Sequence, residues 1–99
     1  MYHSKLESEH ADALCDALVK VETREEAYRL LDDLCTITEV QAMAQRLAVA
    51  RRLRHGATYQ DIGSETGAST ATISRVNRCV AYGADGYRII LDRLEKEEQ

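Results

Sequence analysis

From Thr58 to Val80 the chain reads TYQDIGSETGASTATISRVNRCV. Two short amphipathic segments meet there with almost no connection, and Gly67 is the residue at the turn. A second helix that crosses a first at close range needs a small residue at the crossing, and Gly63 supplies one. A turn this tight needs positive φ, which Gly67 adopts without a steric penalty. Ile62, Ile73 and Val76 are spaced to lock the two helices together. Segment 58–80 therefore reads as a helix-turn-helix unit. An ordinary helix–Gly–helix corner has the same skeleton, so the exposed start of the second helix has to decide between them. It offers Ser69, Thr70, Ala71, Thr72, Ser74 and Arg75. Short hydroxyl and methyl side chains with one guanidinium suit close entry into a major groove, hydroxyls to phosphates or base edges and methyls to thymine.

Charge supports DNA as the partner. The net charge is −4, but it is unevenly spread. Residues 1–39 carry a balance of −6, residues 40–90 one of +4, and residues 91–99 one of −2. Between residues 40 and 84 the acids are Asp61 and Glu65, whereas Arg51, Arg52, Arg54, Arg75 and Arg78 are close enough in sequence to flank one groove. A basic middle on an acidic body implies a local polyanion-binding face, with binding steeply dependent on salt. The expected DNA contacts are Thr58, Tyr59, Gln60, Ser69, Thr70, Ala71, Thr72, Ser74, Arg75, Arg78, Arg51, Arg52 and Arg54. Arg51, Arg52, Arg54 and Arg78 are expected mainly on phosphates, one or two of Thr70, Ala71, Thr72 and Ser74 on base edges, and Arg75 on either.

Periodicity and caps predict an all-α chain of six short helices. The first covers about residues 5–20, with Leu6, His10, Leu14, Leu18 and Val21 as its stripe. Thr23 and Glu26 form a capping box for the second, which runs to about Leu34 with Ala27, Leu30, Leu31 and Leu34 on one face. The third starts from either of two overlapping boxes, Thr36 with Glu39 or Thr38 with Gln41, and stops near His55 before Gly56. Its stripe is Val40, Met43, Leu47, Ala50 and Leu53. Thr58 caps a fourth that ends at Gly67, and Ser69 caps a fifth over about 70–82. After Gly83-Ala-Asp-Gly86 a last helix carries Tyr87, Ile90, Leu91 and Leu94, then frays into Glu-Lys-Glu-Glu-Gln.

At 99 residues without a linker, a single domain over 1–99 is expected. The absence of proline favours helix throughout. No apolar run approaches the roughly 20 residues of a membrane span, and the acids Glu7, Glu9, Asp12 and Asp16 exclude a signal peptide. Cys15, Cys35 and Cys79 are odd in number and lack CxxC spacing, so they read as small buried residues in a reducing cytoplasm. His3, His10 and His55 stand apart, and no metal site is expected. No enzyme is expected either: Asp32 and Asp33 diverge on a helix, and no nucleophile triad or phosphate loop is present.

Residues 35–94 resemble the Trp repressor family. The carrying segments are CTITEVQAMAQRLAVARRLRHG and the helix-turn-helix TYQDIGSETGASTATISR, followed by a last amphipathic helix; GASTATISR is the most specific piece. The acidic two-helix N-terminus is similar to the TrpR-like YerC/YecD branch, which extends the resemblance over nearly the whole chain. The resemblance implies an intertwined homodimer of six-helix chains with a shared core. That suits six short helices with thin Leu/Ala stripes, which bury little alone. It also implies a co-repressor pocket, onto which Arg46, Arg75 and Thr36 map. The family's glycine after the second arginine is Val76 here, and a ligand-contacting serine is Cys79. A β-branched residue fills space the indole needs, and a thiol is a weak hydrogen-bond partner. Arg46 and Arg75 read alternatively as a helix-surface salt bridge and a phosphate clamp.

The resulting expectation is a cytoplasmic, homodimeric, sequence-specific DNA-binding regulator of transcription, a repressor in the family's pattern, without tryptophan or another cofactor. Two other readings stand beside it. One is the same dimer gated by another small-molecule effector between Arg46 and Arg75. The other is a helical protein-interaction module, antitoxin-like or scaffold, without specific DNA binding.

Overall fold

The computed structural model describes residues 1–98, and all regular structure in them is α-helical: α1 Glu9–Leu18, α2 Arg24–Leu34, α3 Ile37–Arg54, α4 Tyr59–Thr66, α5 Thr70–Tyr82 and α6 Gly86–Glu97. The fold class expected from periodicity is the one found. The packing divides into two compact units, Met1–Thr36 and the chain from Ile37 onward.

The first unit holds α1 and α2, and neither contributes a buried residue. The α1 helix starts at Glu9, later than expected, because the Ser8 hydroxyl accepts the Ala11 N–H and caps it there. The preceding residues form a separate turn, with the Leu6 N–H donated to the Ser4 hydroxyl. The expected box at α2 is present: the Thr23 hydroxyl accepts from the Glu26 N–H at 3.1 Å, while the Glu26 carboxylate accepts from the Glu22 N–H at 2.9 Å. Of the expected stripes, Val21, Ala27, Leu30 and Leu31 are half-buried, and Leu6, Leu14, Leu18 and Leu34 are exposed.

The second unit has the core. Val49 and Ala50 of α3, Ile62 of α4, Ala68 of the turn, Ile73 and Val76 of α5, and Leu91 of α6 are buried, with Leu53, Ala57, Val80, Tyr87 and Leu94 packed against them. The α3 helix starts at Ile37, which settles the alternative between Thr36 and Thr38 in favour of Thr36 as the preceding residue. Its buried face departs from the expected stripe. Val49 is fully buried, whereas Met43 and Leu47 are 40% and 39% exposed. At about 100° per residue, Ala42, Val49 and Leu53 share one face, and Ile37, Val40, Met43 and Leu47 share another well over 100° away. A helix apolar on two sides offers two candidate stripes, and periodicity alone does not rank them.

Two further expectations are corrected. Cys15 and Cys79 are exposed and Cys35 is half-buried, because each lies on a surface that this chain does not cover. The last helix does not fray after Leu94: α6 runs to Glu97 and Glu95 is half-buried.

Candidate nucleic-acid interface

The helix-turn-helix unit is assembled by caps at each of its ends. After α3 the Ala57 N–H reaches the Arg52 carbonyl at 3.2 Å and the Gly56 N–H reaches that of Leu53 at 3.0 Å. This is a Schellman closure with Gly56 at φ 82. It directs the chain into α4, whose cap is Thr58, the hydroxyl accepting from the Asp61 N–H at 3.1 Å. At the far end of α4 Gly67 is left-handed, φ 74, and returns its N–H to Gly63 at 2.9 Å. The Thr66 hydroxyl donates to the Ile62 carbonyl at 2.7 Å and accepts from the Ala68 N–H at 3.2 Å. Gln45 of α3 donates its side-chain amide to the Thr66 carbonyl at 3.1 Å. Ser69 then caps α5, accepting from the Thr72 N–H and donating to the Thr72 hydroxyl, both at 3.1 Å.

Gly67 has the role that the sequence assigns it; Gly63 does not. A methyl at position 63 would meet the Ala68 carbonyl oxygen at 3.5 Å, an ordinary contact. The close approach there is to the turn backbone, and it leaves room for alanine.

The α5 helix has two faces. Ile73 and Val76 are 1% and 2% exposed and point into the core, with Val80 half-buried behind them. Thr70, Ala71, Ser74 and Arg78 are exposed, and at about 100° per residue they share the opposite face. Arg75 is exposed beside them. Thr72 is half-buried with its hydroxyl held by the cap, which separates it from its neighbours. Thr58, Tyr59 and Gln60 are exposed at the start of α4.

The arginines divide into two sets. Arg46, Arg75 and Arg78 make no ion pair among the described residues. Arg51, Arg52 and Arg54 are all paired. Arg52 grips Glu65 of α4 with two contacts, 2.7 and 3.0 Å. Arg51 bonds Glu98, and Arg54 bonds Asp92 of α6 with Glu95 at 3.4 Å. His55 meets Glu95 at 2.7 Å. The hydrogen bond to Asp92 raises the Arg54 pKa and lowers that of Asp92, and the one to Glu98 raises that of Arg51. Sequence reasoning missed the acids. Their signal was there: Asp92, Glu95 and Glu98 recur every third residue and so line one side of a helix.

The residues singled out for a ligand pocket differ in their surroundings. Val76 is core. Cys79 lines an open apolar cleft of about 410 Å³ with Ala84, Gly86, Tyr87 and Ile90. Arg46 and Arg75 are exposed and border neither that cleft nor a smaller one of about 180 Å³ between Ala50, Val80, Tyr87 and Leu91. Thr36 lies in the first unit. Among the described residues no group of three or more His, Cys, Asp or Glu could hold a metal ion, and no helix is long and apolar enough to cross a membrane.

Comparison with known proteins agrees with this geometry. The family described as Trp repressor protein matches residues 9–95. The chain is 53% identical over 98 residues to the uncharacterized protein YerC of Bacillus subtilis, covering 99% of this chain and 94% of that one. A crystal structure from Staphylococcus aureus, described as that of a candidate Trp repressor, superposes with a TM-score of 0.87 at 50% identity, covering 92% of this chain and 91% of that one. A TrpR-like protein from Eubacterium eligens gives a TM-score of 0.87 at 46% identity, covering 92% and 94%.

Proposed function

The chain belongs to the Trp repressor family, and from that premise we propose that it is a homodimeric, sequence-specific DNA-binding regulator of transcription acting through its helix-turn-helix. The observation that carries this reading is the division of α5. Ile73 and Val76 anchor one face, and Thr70, Ala71, Ser74 and Arg78 stand free on the other. Short side chains at the front of the helix leave the backbone free to enter a major groove, and Arg75 and Arg78 are available for phosphates.

The uncovered apolar surfaces support a dimer. Ile37 is 78% exposed, and with Met43 and Leu47 it forms a face of α3 that this chain leaves open. Leu6, Leu14 and Leu18 of the first unit are likewise exposed. In a helix-turn-helix dimer the two α5 helices are expected about 34 Å apart, one turn of DNA. Such a dimer, seated on an operator in the cytoplasm, would act as a repressor by occupancy. Tryptophan is not its effector in this reading, because Val76 fills the position where the indole needs space.

The apolar cleft beside Cys79 favours a second reading, in which the same dimer is gated by another small molecule. A thermal-shift screen with amino acids and their derivatives distinguishes the two.

The central test is selection of bound genomic DNA, followed by titration of the selected site against random duplex at low and moderate salt. A preferred sequence that stays bound at moderate salt is the expected result. Equal affinity for every duplex, or none, would leave a helical interaction module as the better reading. Sedimentation should show twice the 11.1 kDa chain mass at micromolar protein.

A further inference from the structure

We infer that Gln45 positions the reading helix, an inference that rests on the DNA-binding role proposed above. Thr66 ends α4, so its carbonyl has no intrahelical donor. Among the described residues no backbone N–H outside the helices reaches it. The donor comes from 21 residues away: the half-buried side-chain amide of Gln45 in α3, at 3.1 Å. Facing a carbonyl, only the nitrogen of that amide can make the bond.

The consequence is a two-point mount for the turn. Ala68, 8% exposed, is pinned in the core, and Gln45 holds the residue before Gly67. The α5 helix starts directly after this turn, so the mount fixes its front end while Ile73 and Val76 hold its body in the core against α3. The same α3 exposes the apolar face on which the proposed partner packs. Gln45 thereby links the reading head to the element that sets the distance between the two halves of a dimer. Losing the bond frees the head to tilt, which degrades the fit to base edges more than the grip on phosphates.

The test uses the full-length protein with Gln45→Met, which keeps length without a donor, and Gln45→Lys, which restores one. Two readouts are taken. The first is hydrogen exchange at the Gly67, Ala68 and Thr72 amides, with α6 amides as the internal reference. The second is the affinity ratio between selected site and random duplex, which discounts the charge that lysine adds. In Gln45→Met the turn amides should exchange about tenfold faster with α6 unchanged, and the ratio should fall about tenfold, the size of one missing hydrogen bond. Gln45→Lys should recover both. Wild-type protection at the turn in Gln45→Met, a loss of protection spread equally over α6, or no recovery by lysine would overturn the inference. If the wild type itself shows no sequence preference, the DNA-binding role fails, and the exchange readout still judges Gln45 as the anchor of the turn.

Discussion

Arg54, in the last turn of α3, is hydrogen-bonded to Asp92 of α6. Its guanidinium also lies 3.4 Å from Glu95, which meets His55 at 2.7 Å. The basic end of α3 is therefore tied to the acidic end of α6. A partly covered pair of this kind holds its geometry better than two free surface side chains, although exposed pairs contribute little each.

That tie makes stability depend on acid. Hydrogen bonding to Arg54 holds the Asp92 carboxyl below the usual aspartate range. A carboxyl with a depressed folded-state pKa stabilises the fold above its unfolded-state pKa, and this contribution is lost as pH falls through the folded-state value. The melting temperature should decline on acidification through the usual aspartate range and below it, and Asp92→Asn should flatten that limb. Thermal melts from about pH 6 down to about pH 1 span the window. Superimposable acid limbs would assign the loss to other groups.

DNA binding should sort the side chains by whether they are free. Replacing Thr70 by a bulkier residue should change the preferred sequence, with a penalty on the order of 1–3 kcal/mol for each base edge no longer read. Arg78→Ala should weaken binding to all duplexes alike and flatten the salt slope by about one for each phosphate left unneutralised. Arg52→Ala should do so less, because Arg52 is already gripped by Glu65. Titrations over salt and site variants separate these effects. A larger slope change from Arg52 than from Arg78 would reverse the assignment.

Val76→Gly tests the proposal that a branched side chain at this position excludes tryptophan. Val76 is 2% exposed and packed in the core. Its removal should cost roughly 3–4 kcal/mol, a cavity plus a helical glycine. Calorimetry should find no tight tryptophan binding in the wild type, and chemical denaturation measures the stability loss in the variant. Micromolar tryptophan affinity in the wild type would show that α5 shifts to admit the ligand.

Three backbone positions should respond in opposite directions. Gly63→Ala has room and should stabilise by about 1 kcal/mol. Gly83→Ala should destabilise by on the order of 1–3 kcal/mol, because the added carbon would lie 2.3 Å from the Cys79 carbonyl oxygen. Asp85 is left-handed at φ 68, so Asp85→Ala should cost about 1 kcal/mol. Urea denaturation of the three variants checks the order.

The helix-turn-helix was legible because its signals are local. Thr58, Gly67 and Ser69 each act within a few residues of themselves, and α4 and α5 start and stop where these residues predict. The buried face of α3 and its ties to α6 were not. Which apolar face of α3 turns inward depends on α4 and α5, which pack against it from later in the chain. The partners of Arg51 and Arg54 lie 47 and 38 residues away, so the spacing of the acids shows an acidic side of α6 but not which arginines it meets. Asp85 takes the left-handed position at a junction with glycines on both sides of the loop. Composition marks that loop as a break without saying which residue carries the strain.

The core has no aromatic ring at its centre: valine, alanine, isoleucine and leucine fill it, and Tyr87 packs only at its edge. Ala50 and Ala68 are the places where α3 and the α4–α5 turn leave space for a single methyl group. Close-packed interiors tolerate exchange of one branched aliphatic for another far better than added volume. Mutational drift in this interior is thus confined to shuffling methyl groups. The exposed front of α5 carries no such volume constraint and can change residue by residue while the frame behind it stays fixed.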